Sequence, residues 1–337
     1  MKWTEAPENP DPKLAIKCST LQQKRLNEYH DSTPNLHAEQ RNENLTVLSD
    51  YPIRSTNMSI MDLASLLDLA CKQLALTVIS PLKAGGQKTV HLVKRDGDLQ
   101  VLKLVEVGSS DPTVLHRARR EVELLAGTAH PNVVQVVSEL FELGDPVVGA
   151  AWLEAYLDGD DLSAHLGIPW KNPDDVQRLG TDVASGLGAL HQQKVVHRDL
   201  SANNVRRLSN GTFIIMDPGF AKHTLRSGLT VAGQPGTPGF MTPEHLQSYS
   251  GPTPASDVYA LGSLLYFAAT GGLPIPWLGD DADYIARLAD GRYKPIESIR
   301  TDFPRELAST IHRALHLHPA RRYRNGDRFR EALELAS

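Results

Sequence analysis

The chain has 337 residues, an ordinary composition and a formal net charge of −5; it can bury one large core or two smaller ones, and the charge gives no reason to expect binding to nucleic acid or an anionic membrane. Two cysteines, Cys18 and Cys71, make no disulfide framework, and Met1–Glu5 lacks an apolar signal core, so the expected location is cytoplasmic. The most apolar long run, Val258–Leu278, contains Gly262, Gly271, Gly272, Pro274 and Pro276, which suits a buried helix and a loop better than a membrane span.

Residues 1–57 are polar and punctuated by Pro7, Pro10, Pro12 and Pro34. They read as a disordered or loosely attached leader with room for a short helix around Leu21–Tyr29. A helix capped by Ser59 follows, within 58–77. Its apolar face is Ile60, Leu63, Leu66, Leu67, Ala70 and Leu74. That face either packs on the next domain or serves as a docking or dimerisation surface that regulates it. Strands are expected over Leu76–Leu82, Thr89–Arg95 and Leu99–Val105, the last two joined by a turn at Asp96-Gly97-Asp98. The turn Lys83-Ala84-Gly85-Gly86-Gln87-Lys88 either lies over phosphates, offering backbone N–H groups, or is an ordinary hairpin loop. Lys103 sits inside the apolar run Val101–Val105; buried there it needs a partner, although on alternation alone it could face solvent. Asp111-Pro112 opens a helix to about Ala126 that carries Glu121, with Arg119, Arg120 and Glu123 on its solvated face. Two further strands are expected over Val133–Phe141 and Val147–Leu153. Asp174–Gln193 then forms an amphipathic helix with Val176, Leu179, Val183, Leu187 and Leu190 on one side.

That helix delivers the chain to His197-Arg198-Asp199-Leu200-Ser201-Ala202-Asn203-Asn204. Two strand-like runs follow, Val205–Leu208 and Thr212–Met216, joined by Asn210-Gly211 and succeeded by Asp217-Pro218-Gly219. Asn-Gly between apolar runs is a strong hairpin signal. A hairpin returns the chain to its start, so Asp199, Asn204 and Asp217 come together. Two carboxylates and an amide suit a metal–phosphate site: hard oxygens hold Mg²⁺ and a spare carboxylate can receive a proton.

These residues resemble the protein-kinase catalytic loop, H-R-D-L-x-x-x-N, with Asp217-Pro218-Gly219 in the place of D-F-G. Other segments agree. His130-Pro131-Asn132 after Glu121 is similar to the family's junction behind its N-lobe helix. Gly236–Glu244 resembles G-T-x-x-Y-M-A-P-E, Asp257–Gly262 resembles D-V-W-S-L-G, and His318–Tyr323 resembles D-P-x-x-R-Y. The resemblance covers about 78–335. It implies a two-lobed α+β protein-kinase-like fold: an N-lobe over 78–155 with five antiparallel strands and one helix, a mostly helical C-lobe over 156–337, and ATP with Mg²⁺ between them.

By that resemblance Asp199 receives the substrate hydroxyl proton, Asn204 and Asp217 hold Mg²⁺, and Lys103, paired with Glu121, holds the α- and β-phosphates. Gly85, Gly86 and Val90 belong to the nucleotide loop. Only its middle glycine is kept, as Gly85; Lys83 and Lys88 occupy the outer places, and whether they help hold phosphates stays open. Glu154, Ala155 and Tyr156 form the hinge beside adenine, in two alternative registers that make Glu154 either the gatekeeper or the hinge acid. His197 is structural, Asp257 braces the loop and Arg322 pairs with Glu244. Thr224, Ser227 and Thr230 are candidate activation sites beside Arg198, or solvated hydroxyls. The implied activity is a Ser/Thr protein kinase of the bacterial, eukaryotic-like (Hanks) type, acting on proteins and on itself. Ser201 replaces the usual lysine, so either transfer is slower or another cation substitutes. Pro218 replaces the phenylalanine of D-F-G. These departures keep a pseudokinase or nucleotide-binding scaffold as an alternative. A small-molecule phosphotransferase is a third reading, against which segment 236–244 and Arg322 speak.

Overall fold

The computed structural model describes residues 62–82, 88–107, 113–218, 240–246 and 251–336. It opens on helix α1 (Leu63–Leu74), whose cap is Asp62: its side chain accepts from Ser65 N at 2.7 Å. Ser59, the expected cap, lies outside the described residues. The antiparallel strands β1 (Thr77–Pro81), β2 (Lys88–Arg95) and β3 (Asp98–Glu106) follow, then helix α2 (Thr113–Ala126), β4 (Phe141–Leu143) and β5 (Gly149–Ala155). They form one five-stranded sheet in the order β1-β2-β3-β5-β4. The β2–β3 turn is tight because Asp96 and Gly97 both accept positive φ, 52° and 101°, which lets Arg95 pair directly with Asp98.

Alternation in the two central strands sorts the sheet's faces. Leu102 and Leu104 of β3 and Ala151 and Leu153 of β5 point toward α1, where they pack with Leu66, Ala70 and Leu74. Val105, Ala150 and Trp152 point the other way and pack with Ala118 and Val122 of α2. Of the expected apolar face, Leu66, Leu67, Ala70 and Leu74 pack on the sheet and Leu63 is half exposed; Ile60 lies outside the described residues. The approach is close enough to require glycine at 149, where a Cβ would meet Leu66 Cδ1 at 2.5 Å and Val105 O at 3.0 Å.

The expected strand over Val133–Phe141 forms only at its end, as β4. Before it the chain makes isolated bridges, Val133 to Ile215 and Val136 to Glu154. The cause is competition for its backbone. Val134 N donates to Ile215 O (2.9 Å) and Ile215 N to Asn132 O (2.9 Å), tying this segment to the other lobe. The ladder to β5 is then interrupted where Leu153 N bonds the Ser138 hydroxyl (2.8 Å).

The second lobe begins with β6 (Gly159–Asp161), which pairs with β7 (Val205–Leu208); β7 pairs with β8 (Phe213–Ile215). The hairpin at Asn210-Gly211 forms as expected, with Gly211 at φ 84°; β6 was not foreseen. Helix α3 (Pro173–Gln192), capped by Asn172 with Pro173 in its first turn, and the almost wholly buried α4 (Pro254–Thr270) form the centre of this lobe. Around them lie α5 (Asp281–Asp290), α6 (Ile296–Ile299), α7 (Arg305–Ala314) and α8 (Gly326–Glu334). No helix among the described residues is long and apolar enough to cross a membrane.

Candidate active site

The loop from α3 to β7 is held from below by one buried carboxylate. Asp257, in the first turn of α4, accepts from His197 N (2.7 Å), Arg198 N (2.9 Å) and His191 Nε2 (2.9 Å). His191 Nδ1 in turn accepts from Gly326 N at 3.1 Å, which fixes the tautomer. His197 is fully buried. Its Nε2 donates to Met216 O (3.0 Å) and its Nδ1 accepts from Asp199 N (3.3 Å), so the ring links the loop to the residue before Asp217. Arg198 and Asp217 take positive φ, 66° and 47°. For non-glycine residues this conformation costs about 1–3 kcal/mol each and persists only where surroundings enforce it. Arg198 Nε is buried with no hydrogen-bond partner among the described residues.

Asn204 closes the constellation. Its amide nitrogen donates to Asp199 O (2.7 Å) and Oδ2 (3.3 Å), and its backbone carbonyl accepts from Met216 N (2.9 Å). The sequence reading that Asp199, Asn204 and Asp217 converge is therefore met in the geometry. With its nitrogen spent on Asp199, Asn204 keeps its amide oxygen for a cation, and the partly exposed Asp217 adds a carboxylate. That donor set fits Mg²⁺, which takes few protein oxygens and shares the rest of its shell with phosphates and water.

Above the loop, five charged side chains interlock. Lys103 Nζ lies 2.6 Å from Asp217 Oδ1 and 2.7 Å from Glu154 Oε1. Lys88 Nζ lies 2.5 Å from Glu121 Oε1 and 3.4 Å from the same Asp217 oxygen. The expected Lys103–Glu121 pair is thus replaced by two pairs, Lys103–Glu154 and Lys88–Glu121. The register explains the exchange. Lys103 faces Trp152 directly across β3–β5, and Glu154 is the next residue along on that face. Lys88 faces Val105 across β2–β3, on the side of the sheet that α2 covers. In this register Glu154 is buried, accepts from Trp152 Nε1 (3.1 Å) and faces Lys103.

Burial alone would lift the Asp217 carboxyl, but Lys103 and Lys88 override it and hold Asp217 well below the usual carboxylate range. Burial likewise disfavours charge on both lysines, yet the carboxylates keep Lys103 and Lys88 protonated beyond the usual lysine range. Val90 lies half-buried opposite Lys103, and Ala155 and Tyr156 leave β5 at the cleft edge. Gly85, Gly86, Thr224, Ser227, Thr230 and the 236–239 part of the peptide segment lie outside the described residues. Ser201 is buried and Pro218 is buried. Leu125 packs with Val133, Val134, Leu190 and Val195. Glu244 and Arg322 pair as expected, in a bidentate bridge of 2.7 and 2.9 Å.

The profile of the protein kinase domain matches residues 77–333. Among curated proteins, the tyrosine-protein kinase MasK of Myxococcus xanthus is 29% identical over 76% of this chain and 42% of its own length. The serine/threonine-protein kinase Pkn1 of the same species is 31% identical over 67% of this chain and 32% of its own. AfsK of Streptomyces coelicolor, a serine/threonine-protein kinase, is 33% identical over 58% of the chain and 24% of its own length. The chain spans less than half of each of these relatives. Among solved structures, the kinase domain of Mycobacterium tuberculosis PknI superposes with a TM-score of 0.57 at 23% identity, over 78% of this chain and 96% of that one.

Proposed function

Because this chain belongs to the protein kinase family, we propose that it transfers the γ-phosphoryl group of ATP, with Mg²⁺, to Ser/Thr hydroxyls of proteins in the cytoplasm, itself included. The observation that carries this reading is the convergence of Asp199, Asn204, Asp217 and Lys103 on one cleft, braced by Asp257. Mg-ATP supplies the phosphoryl group and its charge neutralisation; phosphoryl transfer then asks the protein mainly for position and fixed charge. Asp199 receives the hydroxyl proton, and the Asn204 amide holds that carboxylate in place. Asn204 and Asp217 offer oxygens to the metal, and Lys103 offers its ammonium to the phosphates. Ala155 and Tyr156 present backbone groups to the base. Thr224, Ser227 and Thr230 are the hydroxyls whose phosphates Arg198 would receive.

The test is phosphosite mapping by mass spectrometry after incubation with Mg-ATP, with Asp199→Asn as control. Phosphoserine and phosphothreonine are expected, and the substitution should lower the rate about 10²–10⁴-fold, the usual worth of a positioned base. Phosphotyrosine alone would align the chain with MasK and overturn the residue preference. Nucleotide binding without incorporation on any protein would favour the scaffold reading, which the serine at 201 and the proline at 218 motivate. Transfer to an added small alcohol only would favour a small-molecule phosphotransferase; the intact Glu244–Arg322 bridge argues against that outcome.

A further inference from the structure

We propose that Lys88 is a second phosphate-contacting lysine, supplying from the N-lobe the cation that Ser201 does not supply from the catalytic loop. The inference rests on the nucleotide-dependent kinase reading and gives a role to one of the two lysines that the sequence left open.

Three observations carry it. First, the ammonium groups of Lys88 and Lys103 approach the same oxygen, Asp217 Oδ1, at 3.4 and 2.6 Å. Asp217 is also the carboxylate best placed to take the metal, so an anion arriving with that metal meets both lysines. Second, each lysine has its own anchor on the far side, Glu154 for Lys103 and Glu121 for Lys88. The Lys88 ammonium also sits over the Trp152 ring, 5.4 Å from its centroid. The stem is therefore aimed before any ligand binds, which reduces the ordering cost of binding. Third, Lys88 is the first residue of β2, and its side chain is only 15% exposed. A solvated surface lysine would not bury itself against two carboxylates. Lys88 and Lys103 together bring two positive charges against Glu121, Glu154 and Asp217. Without a cation, a site carrying that excess of carboxylate repels a polyphosphate; with Asp217 engaged by a metal, the balance turns favourable.

A purely structural Lys88, serving only to hold α2 through Glu121, predicts something different, and calorimetric titration separates the two. Wild-type protein is titrated with adenosine, Mg-ADP and Mg-ATP, and affinity should rise with phosphate number. Lys88→Met should weaken Mg-ATP and Mg-ADP by about 10- to 100-fold, the worth of a charge-assisted hydrogen bond, and leave adenosine unchanged. Lys88→Arg should restore most of the loss. The double variant Lys88→Met/Glu121→Leu removes the orphaned buried carboxylate, so in it the phosphate-specific loss should persist. Adding Ser201→Lys to Lys88→Met should recover Mg-ATP affinity, with little effect of Ser201→Lys in the wild type. Equal weakening of all three ligands, or wild-type affinities in Lys88→Met, would overturn the role of Lys88 while leaving the kinase reading intact. A wild-type protein that binds neither ADP nor ATP would overturn both.

Discussion

The Glu244–Arg322 bridge and the cluster around Asp217 are both ion clusters with buried members, but only the first is closed. Arg322 spends its donors on both Glu244 oxygens and on the carbonyls of Ala255, His316 and Leu317, and lies over the Tyr259 ring. Ser256 adds a further hydrogen bond to Glu244. Nothing in that set is left for a ligand. In the second cluster the shared carboxylate, Asp217, is 39% exposed and sits on a positive-φ residue. On the proposed reading, its partners would be exchanged for a metal and phosphates without opening the core. A satisfied buried bridge fixes one conformation, whereas a shared and partly exposed carboxylate stores binding capacity.

The largest expected effect tests the closed member. Arg322→Ala leaves Glu244 buried without its cation and should cost about 3–5 kcal/mol in denaturant unfolding. Arg322→Met/Glu244→Leu removes both charges and should recover most of that loss. A double variant as unstable as the single one would mean that the hydrogen bonds to the backbone carbonyls, and not the charge pair, carry the stability.

A smaller effect, of opposite character, is expected in the open cluster. Glu154→Gln keeps an acceptor for Trp152 Nε1 but removes one of three carboxylates around the two lysines. Stability should change by less than about 1 kcal/mol, because Asp217 still faces Lys103. Mg-ATP should bind up to about tenfold more tightly, the size of one charge–charge repulsion across ~10 Å at an effective dielectric near 20. Weaker Mg-ATP binding would show that Glu154 positions Lys103 and does not compete with phosphate for it.

The two clusters also differ in how far the sequence disclosed them. Glu244–Arg322 and the Asp257 brace were legible because each belongs to a motif of fixed spacing. The hairpins at Asp96-Gly97 and Asn210-Gly211 were legible because their turn chemistry is local. The partner of Lys103 was not. Which carboxylate reaches a lysine inside a sheet depends on the register of β3 against β5 and on how α2 lies over β2, and both are tertiary. The same holds for 133–140, where β propensity lost to hydrogen bonds with Ile215 and a bond to the Ser138 hydroxyl. The short β6 had no periodicity to reveal it.

Acid provides the mildest perturbation and shows which buried groups give way first. Burial raises the Glu244 carboxyl, but its bonds to Arg322 outweigh this and hold it below its ordinary value; Asp217 is depressed too. A depressed carboxylate contributes stability above its unfolded value, about 4 for these residues, and loses it only as pH falls through the lower folded value. The Glu244–Arg322 bridge and the Asp217 carboxylate should therefore stay charged to below pH 4, whereas burial holds the Glu121 carboxyl above its ordinary value, so Glu121 is the first carboxylate of the open cluster to take up a proton. His130 and His312 behave oppositely on the scale. Burial, only partly offset by Asp327 and Glu297 respectively, lowers each below its ordinary 6.5. Each ring accepts a backbone N–H, from Asn132 and from Ile296, so protonation breaks a bond as well as charging a half-buried ring. Their contribution is complete above pH 6.5 and is lost as pH falls below it. Melting temperature should therefore decline as pH falls below 6.5, and His130→Gln/His312→Gln should reduce that decline. A decline that begins only below pH 4 in the wild type would place the first acid-sensitive group in the carboxylate clusters.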